Sequence, residues 1–220
     1  MVKLPFQDRA EAGRILGVEL ASRRLLSNTI VLALPRGGLP VAAQVAASLG
    51  APLDVLVVRK LGVPWQPELA MGAIAGGTRV LNYRLIRELE ISDESVETVV
   101  ARETQEMERR ERLYRGGRPA PDLRARTVVL VDDGLATGST MVAAARHVRS
   151  CQSEWLIVAV PVASSEACAM LKKEADECVC LAVPEPFFAV GEWYRDFRQV
   201  TDAEVQEILR HNHHPVSSEP

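Results

Sequence analysis

Short apolar runs alternate with helical stretches along most of the chain, and this alternation constrains the fold more than any other feature. The clearest run, Thr127–Val131, is almost entirely β-branched, which is typical of a strand buried on both faces. Further strands are predicted at 29–34, 54–59, 155–160 and 178–183. We therefore predict an α/β fold with a mostly parallel sheet flanked by helices. Ligands of such sheets bind in the crevice beyond the carboxyl ends of the strands.

Local signals place the remaining elements. Ser92 is a predicted N-cap for a charged helix over 92–115, and Thr201 begins a capping box with Glu204. The charged helix is interpreted as a solvated, self-paired face, with an interaction surface as the alternative. Glycine and proline predict a loop at 60–67 and a hairpin turn between strands 71–75 and 79–82. Other helices are predicted at 39–49, 84–90, 138–150, 165–173 and 201–210.

Composition excludes several classes of protein. The 220 residues carry 26 Lys and Arg against 29 Asp and Glu, and 47% are hydrophobic, which argues against disorder and against a polybasic nucleic-acid arm. No apolar run approaches the about 20 residues that span a bilayer. Residues 1–9 lack the apolar segment of a signal peptide. We expect a cytoplasmic protein with neither a membrane nor a nucleic acid as partner.

One domain is predicted over 1–210, with a core at about 25–183 and a flexible tail at 211–220. The terminal segments 1–24 and 184–210, here called the hood segments, would cover the crevice. Five of the ten aromatic residues lie between Phe187 and Phe197. They suit base stacking, and they equally suit capping of the sheet or a dimer contact.

Four cysteines lie in the C-terminal third of the chain. Cys178 and Cys180 would share one face of a strand, an arrangement that could bind a soft metal. No second Cys or His pair follows at ligand spacing, so the sequence favours buried, small apolar side chains.

The most informative segment follows the strand at 127–131. Asp132 and Asp133 are adjacent carboxylates, suited to a vicinal diol or to Mg²⁺. The turn behind them opens into a helix, whose free N–H groups and dipole form a phosphate cradle. The cradle comprises Gly134, Leu135, Ala136, Thr137, Gly138, Ser139 and Thr140. A carboxylate pair beside a phosphate cradle predicts a ribose 5-phosphate site, whereas the Lys of a nucleotide P-loop is missing.

These residues resemble a known family. The segment from Val131 to Thr140 resembles the signature of type I phosphoribosyltransferases, which bind 5-phosphoribosyl-1-pyrophosphate (PRPP), and its wording is closest to the adenine enzymes. Leu34-Pro-Arg-Gly-Gly38 resembles the pyrophosphate loop of that family. Arg59 and Lys60 stand where the family often carries basic residues for the diphosphate, and 62–70 matches the mobile catalytic loop in position.

The resemblance implies roles for individual residues. Asp132 and Asp133 would hold the ribose hydroxyls and contact Mg²⁺, directly or through water. Arg36, Lys60 and Mg²⁺ would stabilise the departing diphosphate, which Gly37 and Gly38 let the backbone approach closely. A non-proline cis peptide is expected in this loop. The acid that hypoxanthine and guanine enzymes use on the base is replaced by Ala136.

The resemblance also implies a function. We expect a Mg²⁺-dependent homodimeric enzyme that transfers the phosphoribosyl group of PRPP to a nucleobase or a related nitrogen heterocycle and releases pyrophosphate. The alternative is a regulator that binds PRPP without turnover.

Overall fold

The described part of this computed structural model, residues 2–23 and 28–212, alternates strands and helices. The strands are β1 (Ile30–Ala33), β2 (Leu53–Val55), β3 (Val58–Val63), β4 (Gln66–Ala75), β5 (Thr78–Leu81), β6 (Thr127–Val131), β7 (Trp155–Val162) and β8 (Glu177–Ala182). The helices are α1 (Arg9–Ala21), α2 (Gly38–Leu49), α3 (Tyr83–Glu88), α4 (Asp93–Arg115), α5 (Ser139–Ser150), α6 (Ser165–Leu171) and α7 (Asp202–His211). Within these ranges, each helix is too short or too polar to cross a membrane.

Five strands form one parallel sheet in the order β2-β1-β6-β7-β8, which confirms the predicted fold class. The sheet is buried on both faces because its residues alternate between two apolar layers. Val129 and Val131 of β6 face the layer formed with α1, α2, α4 and α7. Val128 and Leu130 face the opposite layer, formed with α5 and α6. Because β1 and β6 are neighbouring parallel strands, their carboxyl ends lie side by side.

The segment after β2 differs from its prediction. The predicted strand at 54–59 is interrupted after Val55, and the predicted loop at 60–67 is largely an antiparallel hairpin of β3 and β4. The ladder is irregular around Gly62, so the glycine and prolines that indicated a loop are accommodated at a bulge and a turn. Trp65 at the hairpin tip is 62% exposed. The predicted hairpin of β4 and β5 is confirmed.

Helix α1 lies within one hood segment and was not predicted as a helix. Asp8 caps its first turn by accepting from the N–H of Glu11. The helix packs closely on α2, since a Cβ at Gly13 would lie only 2.5 Å from the carbonyl oxygen of Val41. Ahead of α1, the N–H of Phe6 donates to the Trp193 carbonyl across 2.8 Å, so the two hood segments contact each other.

The remaining terminal and charged features follow their sequence signals. Ser92 caps α4, and Thr201 forms a capping box with Glu204 at α7. On α4, hydrogen bonds from Arg109 and Arg110 lower the pKa of Glu106 to about 2, which fits the self-paired face. Residues 213–220 of the predicted tail lie outside the described residues.

Candidate functional site

The loops that follow β1 and β6 meet at one edge of the sheet. The N–H of Leu34 donates to the Val131 carbonyl across 2.9 Å, which holds the two strand ends in register. A Cβ at Gly37 would overlap the carboxylate of Asp133, and one at Gly38 would lie 2.8 Å from the Val131 oxygen. Glycine at these positions therefore lets the loop reach the carboxylates.

The loop at 35–38 has two further features. The peptide bond between Pro35 and Arg36 is cis, as expected from the resemblance. Among the described residues, the N–H groups of Arg36 and Gly37 have no protein acceptor. Both donors are therefore available to an anion at the start of α2.

The segment predicted to be a phosphate cradle presents free backbone amides over only part of its length, since the N–H of Leu135 donates to the Val162 carbonyl across 3.0 Å. In the described structure, the N–H groups of residues 136–141 donate to no protein atom. Gly138 has a φ of 73°, a left-handed conformation, and directly precedes α5. The loop is anchored by Ser164, whose hydroxyl donates to the Ala136 carbonyl across 2.6 Å. A turn of free N–H groups at the start of a helix is suited to phosphate.

Asp132 and Asp133 lie between the cradle and the loop at 35–38, and both are half-buried. Burial and the charge of Asp133 raise the pKa of Asp132 well above its usual value. Burial also raises the pKa of Asp133, against the opposing charge of Arg9. The Oδ1 atom of Asp132 accepts the N–H of Asp133 at 2.8 Å. Such a desolvated carboxylate pair fits Mg²⁺ or ribose hydroxyls, which supply positive charge or hydrogen-bond donors.

Arg9 is a site residue that the sequence did not reveal. Its Nε donates to Oδ2 of Asp133 across 2.7 Å, and its Nη1 donates to the Arg198 carbonyl across 2.8 Å. The guanidinium lies 3.8 Å from the centre of the Phe197 ring. The only local signal is the spacing of Asp8 and Glu11, which is typical of a helix start and places Arg9 in its first turn.

Tyr194, one of the aromatic residues suited to base stacking, contacts the site through its hydroxyl group. Its hydroxyl donates to the backbone carbonyl of Asp133 across 2.5 Å. Burial and the nearby Asp133 charge raise the pKa of the phenol, which keeps it a neutral donor. The Tyr194 ring packs against Phe6 and Phe197, with centroids 5.6 and 5.1 Å away, while Phe188 is 75% exposed. Most of this aromatic segment therefore packs within the hood segments.

Arg36 is oriented by an acid that the sequence did not single out. Its Nη1 lies 3.6 Å from Oδ1 of Asp202, in the first turn of α7. The same oxygen accepts from the Tyr114 hydroxyl across 2.7 Å. Burial and this hydrogen bond raise the pKa of Tyr114 to about 12. Asp202 thus links the loop at 35–38 to the end of α4.

Arg59 and Lys60 are engaged by acids of neighbouring elements. Arg59 donates from Nε and Nη2 to one oxygen of Glu103 on α4, at 2.9 and 2.7 Å. Lys60 donates from Nζ to the carbonyl and carboxylate of Glu68, at 2.9 and 3.2 Å. Within the described structure, neither Arg59 nor Lys60 forms a hydrogen bond or ion pair with Arg36, Asp132, Asp133 or the cradle.

The geometry agrees with comparisons to known proteins. The profile of a family described as the phosphoribosyl transferase domain matches residues 11–195. The chain belongs to the phosphoribosyl transferase family. This phosphoribosyl transferase domain is similar to TT1426 from Thermus thermophilus, a solved structure with 44% identity and a TM-score of 0.82 that covers 95% of this chain and 99% of that one.

Two further proteins are similar to this domain in sequence or in fold. The domain is 47% identical over 211 residues to a protein of Mycobacterium tuberculosis H37Rv that is named "Putative phosphoribosyl transferase". The match covers 94% of this chain and 47% of that protein, so the chain spans about half the length of this relative. A hypothetical protein from Neisseria gonorrhoeae, solved with bound ppGpp, shares the fold at 11% identity and a TM-score of 0.52, over 97% of this chain and 100% of that one.

Proposed function

We propose that this phosphoribosyl transferase domain transfers the phosphoribosyl group of PRPP to a nitrogen of a nucleobase or related heterocycle and releases pyrophosphate. The observation that carries the proposal is the meeting of two anion-binding loops on either side of Asp132 and Asp133. PRPP has the matching order of groups, because its ribose diol lies between a 5-phosphate and a 1-diphosphate.

Each of the two loops is suited to one end of PRPP. The 5-phosphate would accept hydrogen bonds from the free amides of residues 136–141, and Thr137 and Ser139 would add hydroxyls. The diphosphate would lie against the free amides of Arg36 and Gly37, with the Arg36 guanidinium beside it. The ribose hydroxyls would then donate to the carboxylates between the loops.

The chemistry follows from where charge develops. As the bond from the anomeric carbon to the diphosphate breaks, the ribose becomes cationic and the leaving group gains negative charge. The partly desolvated Asp132 and Asp133 favour the cation, while Arg36 and the loop amides stabilise the diphosphate. The carboxylate pair would hold Mg²⁺ directly or through water, and this ion supplies charge neutralisation for the leaving oxygens.

The hairpin of β3 and β4 is suited to covering the reacting atoms. Its tip carries the exposed Trp65, and its base is fastened to α4 by Arg59 and Glu103. Closure would exclude water, which otherwise captures the cationic ribose. Lys60 would join the diphosphate only by exchanging its contact with Glu68.

Pyrophosphate release, measured with PRPP and Mg²⁺ across a panel of nucleobases and nitrogen heterocycles, tests the proposal. At least one acceptor should release pyrophosphate, and Asp132→Asn with Asp133→Asn should abolish that release while the fold is retained. The matched control is Asp93→Asn with Glu94→Gln, an exposed adjacent pair on α4, which should retain activity. Equal activity in the two double variants would contradict the proposed roles.

The alternative is a regulator that binds PRPP without turnover. In either function, ribose would have to share Asp133 with Arg9, which occupies its Oδ2 atom. A regulator would show a rise in melting temperature with PRPP and Mg²⁺ but no release with any acceptor. No shift at millimolar PRPP would contradict both functions. The proposed homodimer is tested separately by light scattering.

A further inference from the structure

Three cysteine thiols meet on the outer side of the sheet. Cys178 and Cys180 lie two residues apart on β8 and share one face of this edge strand. Helix α6 packs on that face and contributes Cys168. The Sγ atoms of Cys168 and Cys180 are 3.0 Å apart, those of Cys178 and Cys180 are 3.8 Å apart, and all three lie within 4.8 Å of one another.

The cluster could not be predicted from the sequence, because a helix end and a turn separate Cys168 from the β8 pair. The fold supplies the third thiol that spacing alone did not show. One strand, β7, lies between β8, which carries two of the thiols, and β6, whose end carries Asp132. The proposed transfer reaction therefore leaves these thiols unused.

The spacing suits a single metal ion. Metal–thiolate bonds of about 2.3 Å imply sulfur–sulfur separations of about 3.8–4.0 Å in tetrahedral or trigonal geometry. The Cys178–Cys180 separation of 3.8 Å lies in that range and the Cys168–Cys180 separation of 3.0 Å is shorter, so small side-chain rotations would bring the thiols to ligand spacing. Cys168 is 9% exposed, whereas Cys178 and Cys180 are half-buried, so an ion could enter from the edge of the sheet.

We propose that Cys168, Cys178 and Cys180 bind one Cu(I) ion through three thiolates. Thiolate ligands select soft ions such as Cu(I) and zinc. Structural zinc takes four ligands, whereas Cu(I) accepts three, and within the described residues the cluster has three metal-binding side chains. Binding requires only the loss of thiol protons to solvent and changes no oxidation state.

The test is an anaerobic titration of the reduced full chain with Cu(I) in competition with a chromogenic chelator. We expect one Cu(I) per chain, with three sulfur neighbours by X-ray absorption. Replacing any one of the three cysteines should remove a ligand, in the variants Cys168→Ser, Cys178→Ser and Cys180→Ser. Each should weaken Cu(I) binding more than the loss of a residue that only contacts a ligand does, which is about 10- to 100-fold. Cys151→Ser, which leaves the cluster intact, should bind as the unmodified chain does.

Several results would overturn the proposal. These are wild-type binding below one ion per two chains, an absorption spectrum with fewer than three sulfur neighbours, or tighter binding of Zn²⁺ than of Cu(I) under matched competition. The wild-type measurements decide the matter even if a serine variant fails to fold. A triple serine variant that still binds copper would assign the metal elsewhere, for instance to His213 and His214, which it retains.

Discussion

Arg9, in the first turn of α1, donates from its Nε to Oδ2 of Asp133, 124 residues later in the chain. The pair is largely enclosed, with side-chain exposures of 10% and 13%. It connects a hood segment to the carboxylate that faces the proposed ribose site. The charge of Arg9 therefore opposes the rise in the Asp133 pKa that burial causes.

Replacing Arg9 should move the pH dependence of PRPP binding. The guanidinium lowers the pKa of Asp133, so Arg9→Gln should raise that pKa and shift the acid limb of binding to higher pH. Isothermal titration with PRPP and Mg²⁺ at several pH values measures the shift. Arg14→Gln, an exposed change on the same helix, is the control. An acid limb that stays in place would show that Asp133 does not govern binding.

Replacing Asp132 should stabilise the apo chain while removing function. Its raised pKa means that the folded chain holds the proton more tightly than the unfolded chain, so ionisation destabilises the fold above the raised pKa. At pH 8, Asp132→Asn should therefore raise the free energy of unfolding by about 1 kcal/mol, which corresponds to a rise of about 2–4 °C in melting temperature. The gain should vanish as the pH falls towards the ordinary carboxyl pKa.

Calorimetry across that pH range measures the gain, and titration with PRPP measures the loss of binding. Asp122→Asn, an exposed change outside the site, should alter neither. A melting temperature of Asp132→Asn that falls at pH 8 would mean that the carboxylate supports the fold instead.

A methyl group at Gly37 should remove PRPP binding. The added Cβ would overlap the Asp133 carboxylate and push it out of the site. Gly50→Ala, at the other end of α2, has open space but a φ of 60°, so it should cost about 1 kcal/mol and leave PRPP binding unchanged. Binding and melting temperature, measured on both variants, separate the two effects. Tight binding by Gly37→Ala would remove Asp133 from the ribose site.

Loss of Arg36 should discriminate between ligands. Arg36→Ala should weaken binding of PRPP and pyrophosphate by about 10- to 100-fold, consistent with about 1.5–3 kcal/mol for a hydrogen bond to a charged group. Ribose 5-phosphate, which lacks the diphosphate, should bind nearly as before. Competition titrations give, for each ligand, the ratio of its dissociation constants for the variant and for the unmodified chain. Asp202→Asn should show a smaller change in the same direction, since it only orients Arg36. Equal losses for all three ligands would contradict the assignment.

The parts of the fold that were predictable depend on local chemistry. The β-branched run of β6 and the capping box of α7 carry their structure within a few residues, and so does the cradle that opens α5. The contacts of Arg9 and Asp202 depend on partners far away in the chain, and that of Cys168 depends on how α6 packs on β8, so one sequence holds no sign of these pairs. The β3 hairpin was missed because cross-strand pairing overrode the loop preference of glycine and proline.

The free amides of residues 136–141 have an evolutionary consequence. Every amino acid except proline carries the same main-chain donor. Under the proposed function, phosphate binding would therefore survive side-chain changes at an exposed position of this turn such as Ala136. Substitutions in the hood segments could then alter the choice of acceptor without changing the main-chain contacts to the phosphate.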